Sequence, residues 1–325
     1  SINECVLFDK KEKIYIHRFK RYKSKYFTII KRLFDIYWHL KKYDYTHCIV
    51  SGRFALYISI FIKKIFIRTK ILGVFHGSEL LSKNKIATFL LCKSIKSLDS
   101  IISVSKYTEK LIPIKINNNS KYIVPNGVNI EINNLTNDCT SKIAGSPILL
   151  TVGSLTNRKG QINIIDSLPT IIKKYPNVHY HCIGLLIEKE ELLFKIKKLN
   201  LEKFVTLHGY LSNNELYNIY NQADIFMMLS QNKIKFDAEG FGIAILEANC
   251  FGVPSIGSKN TGIEDAIIDN KTGRLVDPYN PNEILDSIDS IINNRNYYSK
   301  EARIWADKHN WNKIAKKYIK IIQGA

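Results

Sequence analysis

The sequence predicts an α/β fold of two Rossmann-like domains facing a cleft. Three observations carry that expectation. Short apolar runs alternate with longer segments of helical period, the pattern of βαβ units and parallel sheets covered by helices on both faces. The alternation stops in a polar, irregular stretch, Asn133 to Ser146, and then restarts. The 325 residues also suit two domains at roughly 150 residues each.

The elements follow in order. Tyr26 to Leu40 and Lys83 to Lys96 read as helices. Cys48 to Ser51, Ile71 to Phe75, Ser100 to Val104 and Tyr122 to Val124 read as buried strands between and after them. Beyond the break, Ile148 to Val152 is a strand followed by a glycine-bearing loop and a helix near Ile162 to Lys174. Val178 to Ile183, Val205 to Leu207 and Ile225 to Leu229 continue as strands, with helices at Glu188 to Lys198 and Asn214 to Asn221. Ligands of such sheets bind beyond the carboxyl ends of the strands, so functional residues are expected in loops that follow strands.

Composition narrows the function. A hydrophobic share of 45% excludes a disordered or collagen-like chain. The longest mostly apolar run, Ala55 to Ile62, is flanked by Arg53, Lys63 and Lys64 and falls well short of the roughly 20 residues a spanning helix needs. Ser1 to Lys13 is largely polar and does not read as a secretory signal. The six cysteines are scattered with no C-x-x-C pair, which fits reduced thiols in a cytoplasmic protein better than a disulfide framework or structural zinc. His179 and His181 share a strand face, but no third ligand is evident, so no metal site is expected.

The net charge of +19 is concentrated at one end. Residues 1–140 hold 25 basic and 10 acidic groups, and the remainder 23 and 19. Lys10 to Lys42 is densely basic and interleaved with Tyr15, Phe19, Tyr22, Tyr26, Phe27, Phe34, Tyr37 and Trp38. Such a surface attracts phosphates or anionic lipid, although a solvated face in a lysine-rich chain is the plainer reading. No zinc finger, RNP motif or basic zipper accompanies it, so nucleic acid is not an expected partner.

Two segments carry the chemistry. In Asp237 to Pro254, a short helix from about Gly242 to Cys250 is expected to present the amides of Phe241, Gly242 and Ile243 as an anion site. Glu239 sits in the loop before it and Glu247 past its first turn, where ionised carboxylates accept hydrogen bonds from ribose or sugar hydroxyls. In Gly153 to Gly160, a glycine turn brings backbone close to a ligand and Lys159 supplies a point charge for phosphate. The plainer reading is a solvated Arg158–Lys159 pair before a helix.

These segments resemble the retaining nucleotide-sugar glycosyltransferases of glycosyltransferase family 4, which have the GT-B fold. Glu239 and Glu247 match the family's E-G-F-G-x-x-x-x-E-A in full. Tyr217 to Leu229, Gly252-Val253-Pro254 with Thr261-Gly262, and Lys271 to Pro278 resemble its neighbouring segments. The family's G-R-L-x-x-x-K-G is matched at Gly153 and Lys159, but Ser154 stands in place of the arginine. Either Arg158 substitutes for that charge or one cation remains. Val74-Phe75-His76-Gly77, Ile101 to Thr108 and Val124 to Val128 resemble N-terminal family segments more loosely. Trp311 to Ile322 resembles the last helix. The family's opening strand, Gly-Gly loop and helix have no counterpart before Cys5, so the chain reads as a fragment or as having a reduced first domain.

The resemblance implies an acceptor-side domain over 1–140, a nucleotide-sugar domain over 141–308, and a helix over 309–325 packing back on the first. It implies hexose transfer from a UDP- or GDP-sugar to a glycan or lipid-linked acceptor in bacterial surface polysaccharide assembly (O-antigen, lipopolysaccharide or capsule). No cofactor or metal is implied. Lys159, Arg158, Glu239 and His76 would act on the diphosphate and donor sugar. Gly153, Phe241, Gly242 and Ile243 would line the phosphate seat, Glu247 would hold the ribose and Leu211 would contact the base. The expected place is the cytoplasmic face of an anionic membrane. A non-catalytic subunit and another enzyme of this fold, such as a sugar-nucleotide epimerase, remain as alternatives.

Overall fold

Two all-parallel sheets organise the chain in the computed structural model, which describes residue 9 and residues 14–115, 120–130, 142–231 and 239–324. The first sheet runs β1 (His47–Ser51), β2 (Lys70–Phe75), β3 (Ser100–Ser103), β4 (Lys121–Ile123), in chain order. The second is built from β5 (Ile148–Val152), β6 (His179–Ile183), β7 (Val205–Gly209), β8 (Ile225–Met228), β9 (Ser255–Ser258) and β10 (Gly273–Val276). Its spatial order is β10-β9-β8-β5-β6-β7. The winding reverses between β5 and β8, and there the connecting loops diverge to opposite faces and open a crevice at the carboxyl ends.

Eleven helices are found among the described residues: α1 (Lys25–Tyr43), α2 (Arg53–Ile65), α3 (Lys85–Lys96), α4 (Lys106–Lys110), α5 (Gln161–Lys174), α6 (Lys189–Lys198), α7 (Asn213–Gln222), α8 (Ile243–Cys250), α9 (Pro281–Asn293), α10 (Arg295–Lys308) and α11 (Trp311–Gly324). Local chemistry starts several of them. Ser24 accepts from the Phe27 amide, Asn84 from those of Ile86 and Ala87, and Ser212 and Glu215 form a reciprocal capping box. The apolar run at Ala55 to Ile62 is the body of α2. Its buried Leu56, Ser59 and Ile62 recur every three residues and pack toward α3.

Strand alternation divides each core. In the second sheet Leu149 joins Ile164, Leu168 and Ile288 on one face, while Leu150 joins Phe226, Ile245 and Phe251 on the other. In the first sheet Ile71, Phe75 and Ile101 face Leu56, Ile62 and Leu91. Leu72, Val74 and Ile102 face Ile314 and Ile321 of α11, which returns from the far end of the chain.

The linker and that return cross at one place. The Val128 amide donates to the His309 carbonyl at 2.8 Å, and the Trp311 amide donates to the Val128 carbonyl at 3.3 Å. Residues 131–141, most of the expected boundary, lie outside the described residues, as do Cys5 and Cys139. No helix among the described residues is long and apolar enough to cross a membrane.

The histidines of β6 have a third companion that the sequence reading did not find. His181 Nε2 lies 2.8 Å from the Ala144 carbonyl, and its Nδ1 lies 2.9 Å from His208 Nε2 on β7. His179 Nε2 lies 2.8 Å from Thr206 Oγ1. Among the described residues no group of three such side chains is placed to hold a metal ion.

Candidate active site

Arg158 and Lys159 sit on a single 3-10 turn, Asn157–Lys159, in the loop that leaves β5. Gly160 closes the turn at φ +74°, and a Cβ there would stand 1.7 Å from the Leu229 carbonyl oxygen. Only glycine lets the turn press against the end of β8, and so both cations reach the switch point. The turn is pinned from three sides. The Asn157 amide donates to the Glu188 carboxylate, the Gln231 amide donates to the Arg158 carbonyl at 3.1 Å, and Asn163 Nδ2 donates to the Leu229 carbonyl at 3.0 Å. The Lys159 stem passes over Gly153, where an added Cβ would stand 3.5 Å from its Cε.

Glu239 meets both cations. Its Oε2 accepts from Lys159 Nζ at 2.8 Å and also from Arg158 Nη1. The carboxylate is 11% exposed and Lys159 14%, so the pair is largely withdrawn from water, where such contacts are strongest. Arg158 thus stands beside Lys159, while Ser154 offers its carbonyl to Gln161 Nε2.

The expected helix forms as α8, one residue later at its start, with Gly242 as N-cap. Phe241 is buried and fixes the approach. The amides of Phe241, Gly242 and Ile243 make no hydrogen bond among the described residues, leaving donors and the positive helix end for an anion. Glu247 lies further along α8 and accepts from Tyr220 Oη at 3.2 Å. Burial pushes its carboxyl pKa up, opposed by the Tyr220 hydrogen bond and by the charge of Lys159. It lines a cavity of about 340 Å³ with Asn213, Leu216, Tyr217 and Ile243, closed by Gly127 to Ile130 and Trp311.

The first sheet contributes His76, at the end of β2. Its Nε2 lies 3.1 Å from Ser51 Oγ at the end of β1, and its amide donates to the buried Glu79 carboxylate. A Cβ at Gly240 would stand 1.7 Å from the His76 carbonyl oxygen, so the loop after β2 closes directly onto the E-G-F-G turn. Thr108 Oγ1 donates to the Gly240 carbonyl at 3.4 Å, and the Lys106 amide to Asp265 at 2.5 Å, completing the seam.

Of the residues the sequence singled out, Arg158, Lys159, Glu239 and Gly153 come together directly. Glu247 and Ile243 share the adjacent cavity, and His76 stands across the seam. Leu211 is set apart: it packs against the core below α7 and is not among the residues lining that cavity. Tyr220, Ser51 and Gln231 hold site residues in place and were missed. Tyr220 lies inside the Tyr217 to Leu229 segment, but nothing in its spacing singles out its hydroxyl. A separate cavity of about 820 Å³ lies between α1 and the Tyr15–His17 stretch and shares no residue with this site.

Residues 139–318 match the family model described as glycosyl transferases group 1, which is more than half of the chain. The chain belongs to that family. It is 28% identical over 312 residues to the O-antigen biosynthesis glycosyltransferase WclY of Escherichia coli, covering 90% of this chain and 82% of the relative. It is 26% identical over 188 residues to a GDP-mannose-dependent phosphatidylinositol monomannoside mannosyltransferase of Mycobacterium tuberculosis, covering 56% of this chain and 49% of that one. It covers only 40% of the mannosylfructose-phosphate synthase of Agrobacterium fabrum, so the match spans less than half the length of these two relatives. Among solved structures, it resembles a glycosyltransferase of Rickettsia africae with a TM-score of 0.77 at 21% identity, covering 98% of this chain and 86% of that one. It resembles Anabaena HepE in complex with UDP with a TM-score of 0.74 at 18% identity, covering 92% and 82%. The chain has the GT-B fold of these neighbours, two Rossmann-like halves facing a cleft.

Proposed function

We propose that this glycosyltransferase moves a hexose, with retention at the anomeric carbon and without a metal ion, from a nucleotide sugar to a glycan or lipid-linked acceptor in bacterial surface polysaccharide assembly. The observation that carries the reading is the convergence of Lys159, Arg158 and Glu239 beside the unbonded amides at the start of α8. In the transfer, the bond between the anomeric carbon and the diphosphate breaks, and the nucleoside diphosphate departs with the electron pair. The acceptor oxygen bonds to the same carbon on the same face, and its proton passes to the departing phosphate oxygen. Lys159, Arg158 and the amides of Phe241, Gly242 and Ile243 stabilise the charge that develops on the leaving group. Glu239 orients the sugar hydroxyls, His76 reaches the sugar from the other half, and Glu247 accepts from the ribose.

Neighbours support the donor class and the setting. HepE has been crystallised with UDP and UDP-glucose, and WaaB, also a structural neighbour, is a lipopolysaccharide outer core galactosyltransferase. An acceptor at an anionic membrane suits the face of α1, where Tyr26, Ile30, Phe34 and Trp38 stand exposed at four-residue intervals among Lys25, Lys31, Lys41 and Lys42.

The test is transfer from a panel of UDP-, GDP- and ADP-sugars to lipid-linked or glycan acceptors. Lys159→Ala and Glu239→Ala are each expected to cut transfer at least about tenfold, since one electrostatic contact to the leaving group is worth roughly 2–4 kcal/mol. Wild-type turnover in both variants rejects the reading, and product anomer analysis decides between retention and inversion.

A further inference from the structure

We infer that Glu239 discriminates the intact donor from the spent nucleoside diphosphate, by competing with the diphosphate for Arg158 and Lys159. The inference rests on the reading of this pocket as the nucleotide-sugar site and adds a role for the carboxylate within it.

The backbone that carries the two cations is held, because the turn is tied to Glu188, Gln231 and the end of β8. The main chain at Glu239 is fixed as well, since its carbonyl accepts from the Gly262 amide at 3.1 Å. With both backbones held, the contact parts only by rotation of the side chains themselves. Carboxylate and phosphate oxygens are alternative partners for the same ammonium and guanidinium donors. A diphosphate that takes Lys159 and Arg158 therefore takes them from Glu239.

The cost of that exchange depends on what arrives. A carboxylate only 11% exposed cannot be repaid by bulk water when it loses two cations. An intact nucleotide sugar brings hydroxyl donors to the displaced carboxylate together with the anion. A bare diphosphate brings the anion alone and leaves Glu239 uncompensated. The same side chain thus weakens the product more than the donor, which favours release after transfer.

Titration calorimetry separates the possibilities. The ligands are inorganic pyrophosphate, the diphosphates UDP, GDP and ADP, and the donors UDP-glucose, GDP-mannose and ADP-glucose, tested on the wild-type chain and on Glu239→Gln. Glu239→Gln is expected to bind pyrophosphate, and whichever diphosphate the wild type binds, at least about threefold more tightly, and to bind the matching nucleotide sugar more weakly. The wild-type preference for donor over product should collapse by about tenfold or more. Equal or weaker pyrophosphate binding by the variant overturns the inference, even if donor binding also falls. Glu239→Asp, which keeps the charge but draws it back by one methylene, guards against a folding defect. It is expected to move pyrophosphate affinity in the same direction, and unchanged or weaker binding again overturns the inference. Absence of nucleotide and nucleotide-sugar binding by the wild type would instead sink the donor-site reading, with pyrophosphate still reporting on the competition.

Discussion

Glu239 and Arg158 are 81 positions apart in the chain yet meet at one carboxylate oxygen, and this kind of residue is the kind the sequence exposes best. Glu239, Glu247 and Lys159 sit in short motifs because the loop and helix start that present them are local structures. What the sequence hides at this scale are partners across strands. His208 and Ser51 take their roles from strand register and Tyr220 from the packing of α7 beside α8, and no spacing announces either. The histidine cluster shows the consequence. The lowered pKa of His181 and His208 favours neutral rings, and a neutral His181 that donates from Nε2 to the Ala144 carbonyl accepts at Nδ1 from His208 Nε2. Burial lowers the pKa of all three rings, that of His179 to about 4, with the neighbouring imidazoles adding to the effect for His179 and His208. The unfolded chain takes up these protons first, near pH 6.5. Stability is therefore full above that pH and is lost as pH falls toward about 4. The loss attributable to His179 should be on the order of 1 kcal/mol, reduced by its partial exposure. Urea midpoints at pH 7.5 and pH 5 measure it, and His179→Gln should flatten the difference.

At the scale of elements, many strands and several capped helices were legible, while Arg53–Ile65, Pro281–Asn293 and Arg295–Lys308 were not read as helices. Ser24, Asn84 and Ser212 announce their helices, and those strands stand out because each is a short apolar run bounded by polar residues. Arg53–Ile65 has glycine at its N-cap with no side-chain cap bond, and four isoleucines blur its period, so it reads only as an apolar run. The strands β9 and β10 were not read as strands, because Ser255–Ser258 holds one isoleucine between small residues and Gly273–Val276 opens on a glycine and an arginine, so neither is an apolar run. Helix α1 is apolar on two sides. Leu33, Ile36 and Leu40 pack inward, and the Tyr26–Trp38 stripe faces out among lysines. If that outer stripe meets a bilayer, vesicles containing phosphatidylglycerol should pull the protein down and neutral vesicles should not. Half a molar salt should weaken the effect through screening. Phe34→Ser with Trp38→Ser should abolish co-sedimentation while leaving the melting temperature nearly unchanged, because both side chains are half exposed. Retention of vesicle binding by that double variant removes α1 from the interface.

Across the whole molecule, α11 belongs to the chain's second half in sequence and to its first sheet in space. Ile314 is fully buried against Leu72, Val74, Ile102 and Val124. Ile314→Ala should cost about 2–4 kcal/mol. The loss should appear in the first half as well as in α11, so hydrogen exchange of β2 and β3 amides should accelerate together with that of the helix. Protection confined to its old values in β2 and β3 would mean that α11 is only an appendage.

That return path has a mechanical meaning. Two separate crossings of the polypeptide, at Val128 and at His309 to Trp311, are riveted side by side by main-chain bonds. Paired adjacent straps oppose sliding and twisting of the halves, and leave a book-like swing about their line as the motion that would part the Thr108–Gly240 and Lys106–Asp265 contacts. Access of large molecules to the gap is then governed by one angle, and a single pair of dyes, one on each cover, suffices to follow it.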